Sequence, residues 1–178
     1  MIDRTGAVKG TSRSRRTSLF FEGHTMHIII DGYNLIRQSD SLRRLDKLSL
    51  EEGRNELIRR IAQYRKSRGH QVTVVFDGWE GGSAKEERLR EDGVTVVYSR
   101  RGETADEVIK RMARAERGTE LVVVSSDREV ADATVRAGGV AIPSPEFEER
   151  MGEKEIKNMP SDDEAPEEDD GITPRFGT

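Results

Sequence analysis

The stretch His27-Ile28-Ile29-Ile30-Asp31-Gly32 decides the fold. A short apolar run that stops at an acid and a glycine reads as a buried strand running into a loop. The same form returns at Val72-Thr73-Val74-Val75-Phe76-Asp77-Gly78. Between the two lies a helical pattern. Ser49 opens it with Glu52 at the capping-box spacing, Leu50, Leu57, Ile58, Ile61 and Tyr64 recur at helical intervals, and Gly69 stops it.

Val94–Tyr98 is a predicted third strand, Leu121–Val124 a fourth and Val140–Ile142 a short fifth. Thr104 opens the helix after the third strand, with Glu107 at the capping-box spacing and Ala105, Val108, Ile109 and Met112 as its inner stripe. Ser126 and Glu129 repeat that spacing before a helix reaching about Ala137, and Pro143 to Met151 reads as a turn and a final helix. This alternation predicts an α/β domain: a mainly parallel sheet of four to five strands flanked by helices on both faces.

A chain of 178 residues accommodates one such domain and its tails. Residues 26–151 are the expected domain. Residues 1–25, mixed in Gly, Ser, Thr and Arg, and the acidic residues 152–178 are expected to be disordered tails. Met26 directly precedes the first strand and is a candidate start of translation. The absence of cysteine excludes disulfides, a thiolate zinc site and a thiol nucleophile. No apolar run approaches the roughly 18 residues of a membrane span, and Leu19-Phe20-Phe21 is too short for a signal-peptide core. A cytoplasmic protein is expected. The net charge of −4 is not that of an overtly basic nucleic-acid binder. Its net negative charge is concentrated after residue 151, however, which leaves the domain near neutral and free to carry a basic face.

In parallel sheets, ligands bind beyond the carboxyl ends of the strands. Asp31 and Asp77 end the first two strands, Glu103 and Asp106 flank the start of the helix after the third, and Asp127 follows the fourth. One acid in such a place suits a turn or a helix cap. Acids after all four principal strands point to a cation, because gathered carboxylates repel one another unless one lies among them. Mg²⁺ or Mn²⁺ suits a site of this kind. His24, His27 and His70 lie away from these acids and are read as structural or surface residues. No phosphate-cradling glycine motif is present.

The segments Ile29-Ile30-Asp31-Gly32-Tyr33-Asn34, Val75-Phe76-Asp77-Gly78, Gly102-Glu103-Thr104-Ala105-Asp106-Glu107 and Ser125-Ser126-Asp127-Arg128-Glu129, in this order, resemble the NYN domain. More narrowly they resemble its YacP-like branch among the PIN-like ribonucleases. The resemblance implies a PIN-like (Rossmann-like) fold and a metal-dependent endoribonuclease. It implies Asp31, Asp77, Asp106 and Asp127 as the acidic cluster, with Asp31, Asp106 and Asp127 as the metal ligands, and Asn34 orienting a carboxylate or touching substrate. The implied reaction is metal-assisted hydrolysis of an RNA phosphodiester, with mRNA on the ribosome as one setting.

Arg100 and Arg101 precede the acidic helix and are candidates to bind backbone phosphates. Arg59, Arg60, Arg65, Lys66 and Arg68 form either a second basic path or a solvated helix face. Tyr33 either stacks on a base or packs beside the first strand, and Trp79 in the following loop is either a base platform or a lid. Three rivals stand beside the nuclease. One is a phosphohydrolase with an aspartyl nucleophile, which lacks its second acid because that position is Tyr33. The others are a non-catalytic RNA- or ribosome-binding module and a structural protein whose acids are helix caps.

Overall fold

The computed structural model describes residues 26–78, 83–116 and 120–157, with side chains up to residue 152. Trp79, Gly81, Gly82, residues 1–25 and the acidic stretch from Ser161 to Asp170 lie outside the described residues. The strands are β1 Met26–Asp31, β2 Gln71–Phe76, β3 Glu87–Glu91, β4 Val94–Tyr98, β5 Glu120–Val124 and β6 Val140–Ile142. The helices are α1 Gly32–Gln38, α2 Asp40–Leu48, α3 Leu50–Lys66, α4 Ala105–Ala115, α5 Arg128–Arg136 and α6 Ser144–Lys157.

The six strands form one sheet in the order β3-β4-β2-β1-β5-β6. All pairings are parallel except β3 with β4. β1 is therefore central, and all six of its residues are buried, as a parallel strand covered on both faces requires. Its alternation sorts the core. Ile28 and Ile30 join the apolar cluster of α1, α2, α3 and α6, while Ile29 joins that of α4 and α5.

The sheet has one strand more than the sequence predicted. β3 carries charged residues along an exposed edge, Leu89 included at 48 % exposure, so no hydrophobic alternation betrays it. Charge on an edge strand blocks pairing with other chains. Its signal was the turn: Asp92 and Gly93 both adopt positive φ (47° and 83°) between Glu91 and Val94, the hairpin geometry that Asp-Gly favours.

The short helices α1 and α2 also escaped the sequence reading. Ser39 ends α1 and caps α2 by accepting from Leu42 N at 3.2 Å, and its hydroxyl also donates to Glu148. Leu50, read as part of the inner stripe of α3, instead points outward at 55 % exposure. It is the first residue of α3, where the stripe has not yet turned to the sheet. The capping box at Thr104 and Glu107 is present as predicted. At α5 the cap is Asp127 rather than Ser126.

Candidate active site

β1, β2 and β5 end side by side, and register fixes where their acids stand. Asp31 pairs with Val75, so Asp77 lies two residues further along β2's path, on the same face. Ile30 pairs with Val124, which brings Ser125 level with Asp31 and Asp127 just beyond it. That face is covered by α4, whose first turn supplies Asp106. The chain crosses from β4 over β2 and β1 to reach β5, and β1 is where the winding reverses, the usual place for a ligand in such sheets.

Asp31 is 6 % exposed. It caps α1 by accepting from Asn34 N at 3.1 Å on Oδ1, while the Ser125 hydroxyl donates to Oδ2 at 3.2 Å. Burial pushes its pKa up to about 6. The Asn34 amide opposes that rise, and the negative charges of Asp106 and Asp77 add to it. The half-buried Asp106 is also shifted upward, first by burial and then by Asp127, with Lys110 opposing. Asp31 therefore feels the charges of Asp106 and Asp77, and Asp106 those of Asp127 and Asp77.

Asp127 caps α5 through Oδ1, which accepts from Glu129 N at 2.8 Å and Val130 N at 3.0 Å. Its own amide donates to Ser125 Oγ at 3.1 Å. Ser125 thus joins Asp127 to Asp31, a role the sequence reading did not assign to it. Asp77 is exposed, and its Oδ1 accepts from Ala105 N at 2.6 Å, tying the end of β2 to the start of α4. In both acids the capping contacts use one carboxylate oxygen only.

Two Asp-Gly pairs read in sequence as turns, yet neither glycine has positive φ. They are required by close approach. A Cβ on Gly32 would enter the Phe76 ring, 2.6 Å from Cδ1, and one on Gly78 would strike the carbonyl of Ser99. Ser99 also accepts from Gly78 N on its hydroxyl at 2.8 Å, fixing the loop that carries Asp77.

Asn34 Oδ1 accepts from Ser126 N at 2.9 Å and the Ser144 hydroxyl at 2.8 Å. Asn34 therefore positions the β5–α5 loop that bears Asp127. Tyr33 packs its ring edge-on to Phe76, with centroids 5.0 Å apart, and remains partly exposed. Arg100 and Arg101 are exposed. Arg100 reaches Glu103 at 3.3 Å, and Glu103 also binds Arg111 at 3.1 Å, so Glu103 is committed to ion pairs. Arg59 and Arg60 both pair with Glu56, and the Arg59 bond leads in holding that carboxyl down to about 2. His27 bonds Glu116 and Thr73 at the opposite edge of the sheet.

Among the described residues, no three His, Asp or Glu side chains form a ready-made ion cage. The donor set is nonetheless that of Mg²⁺ or Mn²⁺: only hard carboxylate oxygens, two of them with raised pKa. Mg²⁺ commonly uses one or two carboxylates and completes its shell with water and phosphate.

A mostly parallel six-stranded sheet flanked by helices is the architecture of the ribonuclease-like NYN and PIN-like domains. The chain belongs to the YacP-like NYN domain family, whose model matches residues 28–172. It is 36% identical over 104 residues to the uncharacterized protein YacP of Bacillus subtilis. That alignment spans 56% of this chain and 59% of that relative, less than two thirds of its length. The crystal structure of Rae1 (YacP) from B. subtilis superposes with a TM-score of 0.61 at 30% identity, covering 73% of this chain and 76% of that one. A point mutant of the same protein gives a TM-score of 0.61 at 29% identity, over 74% and 77% of the two chains. No helix among the described residues is long and apolar enough to cross a membrane.

Proposed function

We propose that this protein is a metal-dependent endoribonuclease. The observation that carries the proposal is that Asp31, Asp77, Asp106 and Asp127 all stand at the carboxyl edge of the sheet, with Asp31 buried and its pKa raised first by that burial and then by Asp106 and Asp77. Burying a carboxylate beside other carboxylates opposes stability, and a cation among them offsets that opposition. Asp31, Asp106 and Asp127 would hold Mg²⁺ or Mn²⁺, which when bound activates water and neutralises charge developing on the phosphate. Ser125 keeps Asp31 and Asp127 in register. Asp77 braces the start of α4 and completes the negative face. Asn34 fixes the loop of Asp127, and Arg100 and Arg101 take backbone phosphates on the approach, giving salt-dependent, largely sequence-independent affinity. The substrate is RNA, with mRNA on the ribosome as its setting, the location is the cytoplasm, and residues 26–151 carry the activity between two tails.

The test is cleavage of end-labelled single-stranded RNA in Mn²⁺, Mg²⁺ or EDTA, comparing wild type with Asp127→Asn. Asparagine caps a helix as well as aspartate does, so this variant keeps α5 and removes the charge. Metal-dependent cutting that the variant loses supports the proposal. Tight RNA binding without cutting, both free and on ribosomes, would instead identify a binding module.

A further inference from the structure

Next to Asp77 lies a cleft of about 610 Å³, within the range of small-ligand sites. Asp77 forms the wall it shares with the acidic cluster, and Tyr33, Tyr98, Arg54 and the outward-facing Leu50 form its other surfaces. Tyr33, Phe76 and Tyr98 make a continuous aromatic ladder. Phe76 lies fully buried between the two tyrosines, edge-on to Tyr33 and stacked on Tyr98 at 5.7 Å. The Arg54 guanidinium lies over the Tyr98 ring, 5.6 Å from its centroid.

The charge of the cleft selects its occupant. Among the described residues that line it, Asp77, Glu51 and Glu87 oppose Arg54 and Lys85. A phosphate would meet net repulsion there. A neutral planar ring would find apolar and aromatic surface, a guanidinium plane to stack on and carboxylates to accept its N–H groups.

We infer that this cleft is a nucleobase pocket: it receives one unpaired base of the RNA strand next to the phosphate presented to the aspartates. Arg54, Tyr98 and Leu50 are its specificity-determining residues. The inference rests on the ribonuclease reading and adds to it a subsite for a base.

The experiment is an abasic walk. Short single-stranded RNAs, each lacking one base at successive positions, are titrated against the full chain in EDTA, so that binding is read without cutting. Loss of the base at one position is expected to weaken binding about tenfold, the scale of one base–aromatic stack. Arg54→Ala and Leu50→Ser should weaken the intact RNA similarly and erase the sensitivity at that position, with the salt dependence unchanged. Both residues lie at the rim, and an unaltered unfolding midpoint confirms that the variants fold. A flat walk in a protein that cuts RNA overturns the pocket and leaves the nuclease standing. A salt slope lowered by about one in Arg54→Ala assigns Arg54 to a phosphate and also overturns the pocket. Neither binding nor cutting of any RNA overturns both readings.

Discussion

Ser144 donates its hydroxyl hydrogen to Asn34 Oδ1 at 2.8 Å, although 110 residues separate them. The bond fastens the first turn of α6 to the first turn of α1, and the same oxygen accepts from Ser126 N. Asn34→Ala would leave both donors without that acceptor. Since Ser144 is fully buried, the expected loss is about 1–3 kcal/mol of stability. Cleavage should fall further than stability alone explains, because Asp127 follows Ser126 directly. Urea unfolding together with single-turnover cleavage checks both. Unchanged activity would remove Asn34 from the positioning of Asp127.

Asp31 ties stability to pH. Its folded-state pKa, about 6, lies above the ordinary 3.8, so the fold holds its proton more tightly than the unfolded chain does. The resulting stability is fully present below about pH 4 and is lost as pH rises through about 6. By neutral pH the carboxylate opposes folding by about 3 kcal/mol, at roughly 1.4 kcal/mol per unit. Asp31→Asn is neutral and still offers an oxygen to the Asn34 amide. In EDTA it should be more stable than wild type at pH 7.5, with little difference at pH 4, and it should be inactive. Denaturant titrations at the two pH values decide this, and equal stabilities at pH 7.5 would contradict it.

Gly78 should tolerate no side chain. A Cβ there would meet the backbone carbonyl of Ser99, with its carbon 3.2 Å away, and backbone cannot swing aside as a side chain can. Gly78→Ala should cost about 1–3 kcal/mol and displace Asp77 from Ala105 N. Gly102→Ala is the contrast. Its Cβ would meet nothing within 4 Å, but its φ is +81°, so it should lose about 1 kcal/mol through backbone strain alone and keep the Asp77 contact. Thermal unfolding and the amide resonance of Ala105 separate the two effects.

Metal should stabilise the folded chain through the same acids. A ligand that binds only the native state at a hundred times its Kd adds about 2.7 kcal/mol. Mn²⁺ or Mg²⁺ should therefore raise the melting temperature of wild type, less so that of Asp106→Asn, and fully that of Glu120→Gln at the far end of β5. Equal shifts in all three would place the ion elsewhere.

The central strands were legible because apolar runs of β-branched residues have few alternatives to a buried parallel strand. The placement of the aspartates was legible because an acid after a strand or at a helix start is local information. Their roles were less so. Whether Asp77 braces α4, or whether Ser125 bridges two acids, depends on register between segments distant in sequence. The edge strand β3 was hidden because its exposed face selects charge, and α1 and α2 because helices that short carry too few turns for a period to show. Ser126 has the spacing of a cap, but Asp127, one residue on, takes that place and leaves Ser126 to bind Asn34 and Ser144.

The central place of β1 has a consequence for synthesis. Among the described strands β1 leaves the ribosome first, yet its second neighbour, β5, begins only at Glu120. The intervening loop must close before the sheet can be completed, a non-local step of the kind that slows folding. Until then Ser125 and Asp127 have no β1 to dock against, and Asp31 has neither its bridge nor its like-charged company. The acidic edge therefore comes into being in one step, when β5 docks beside β1.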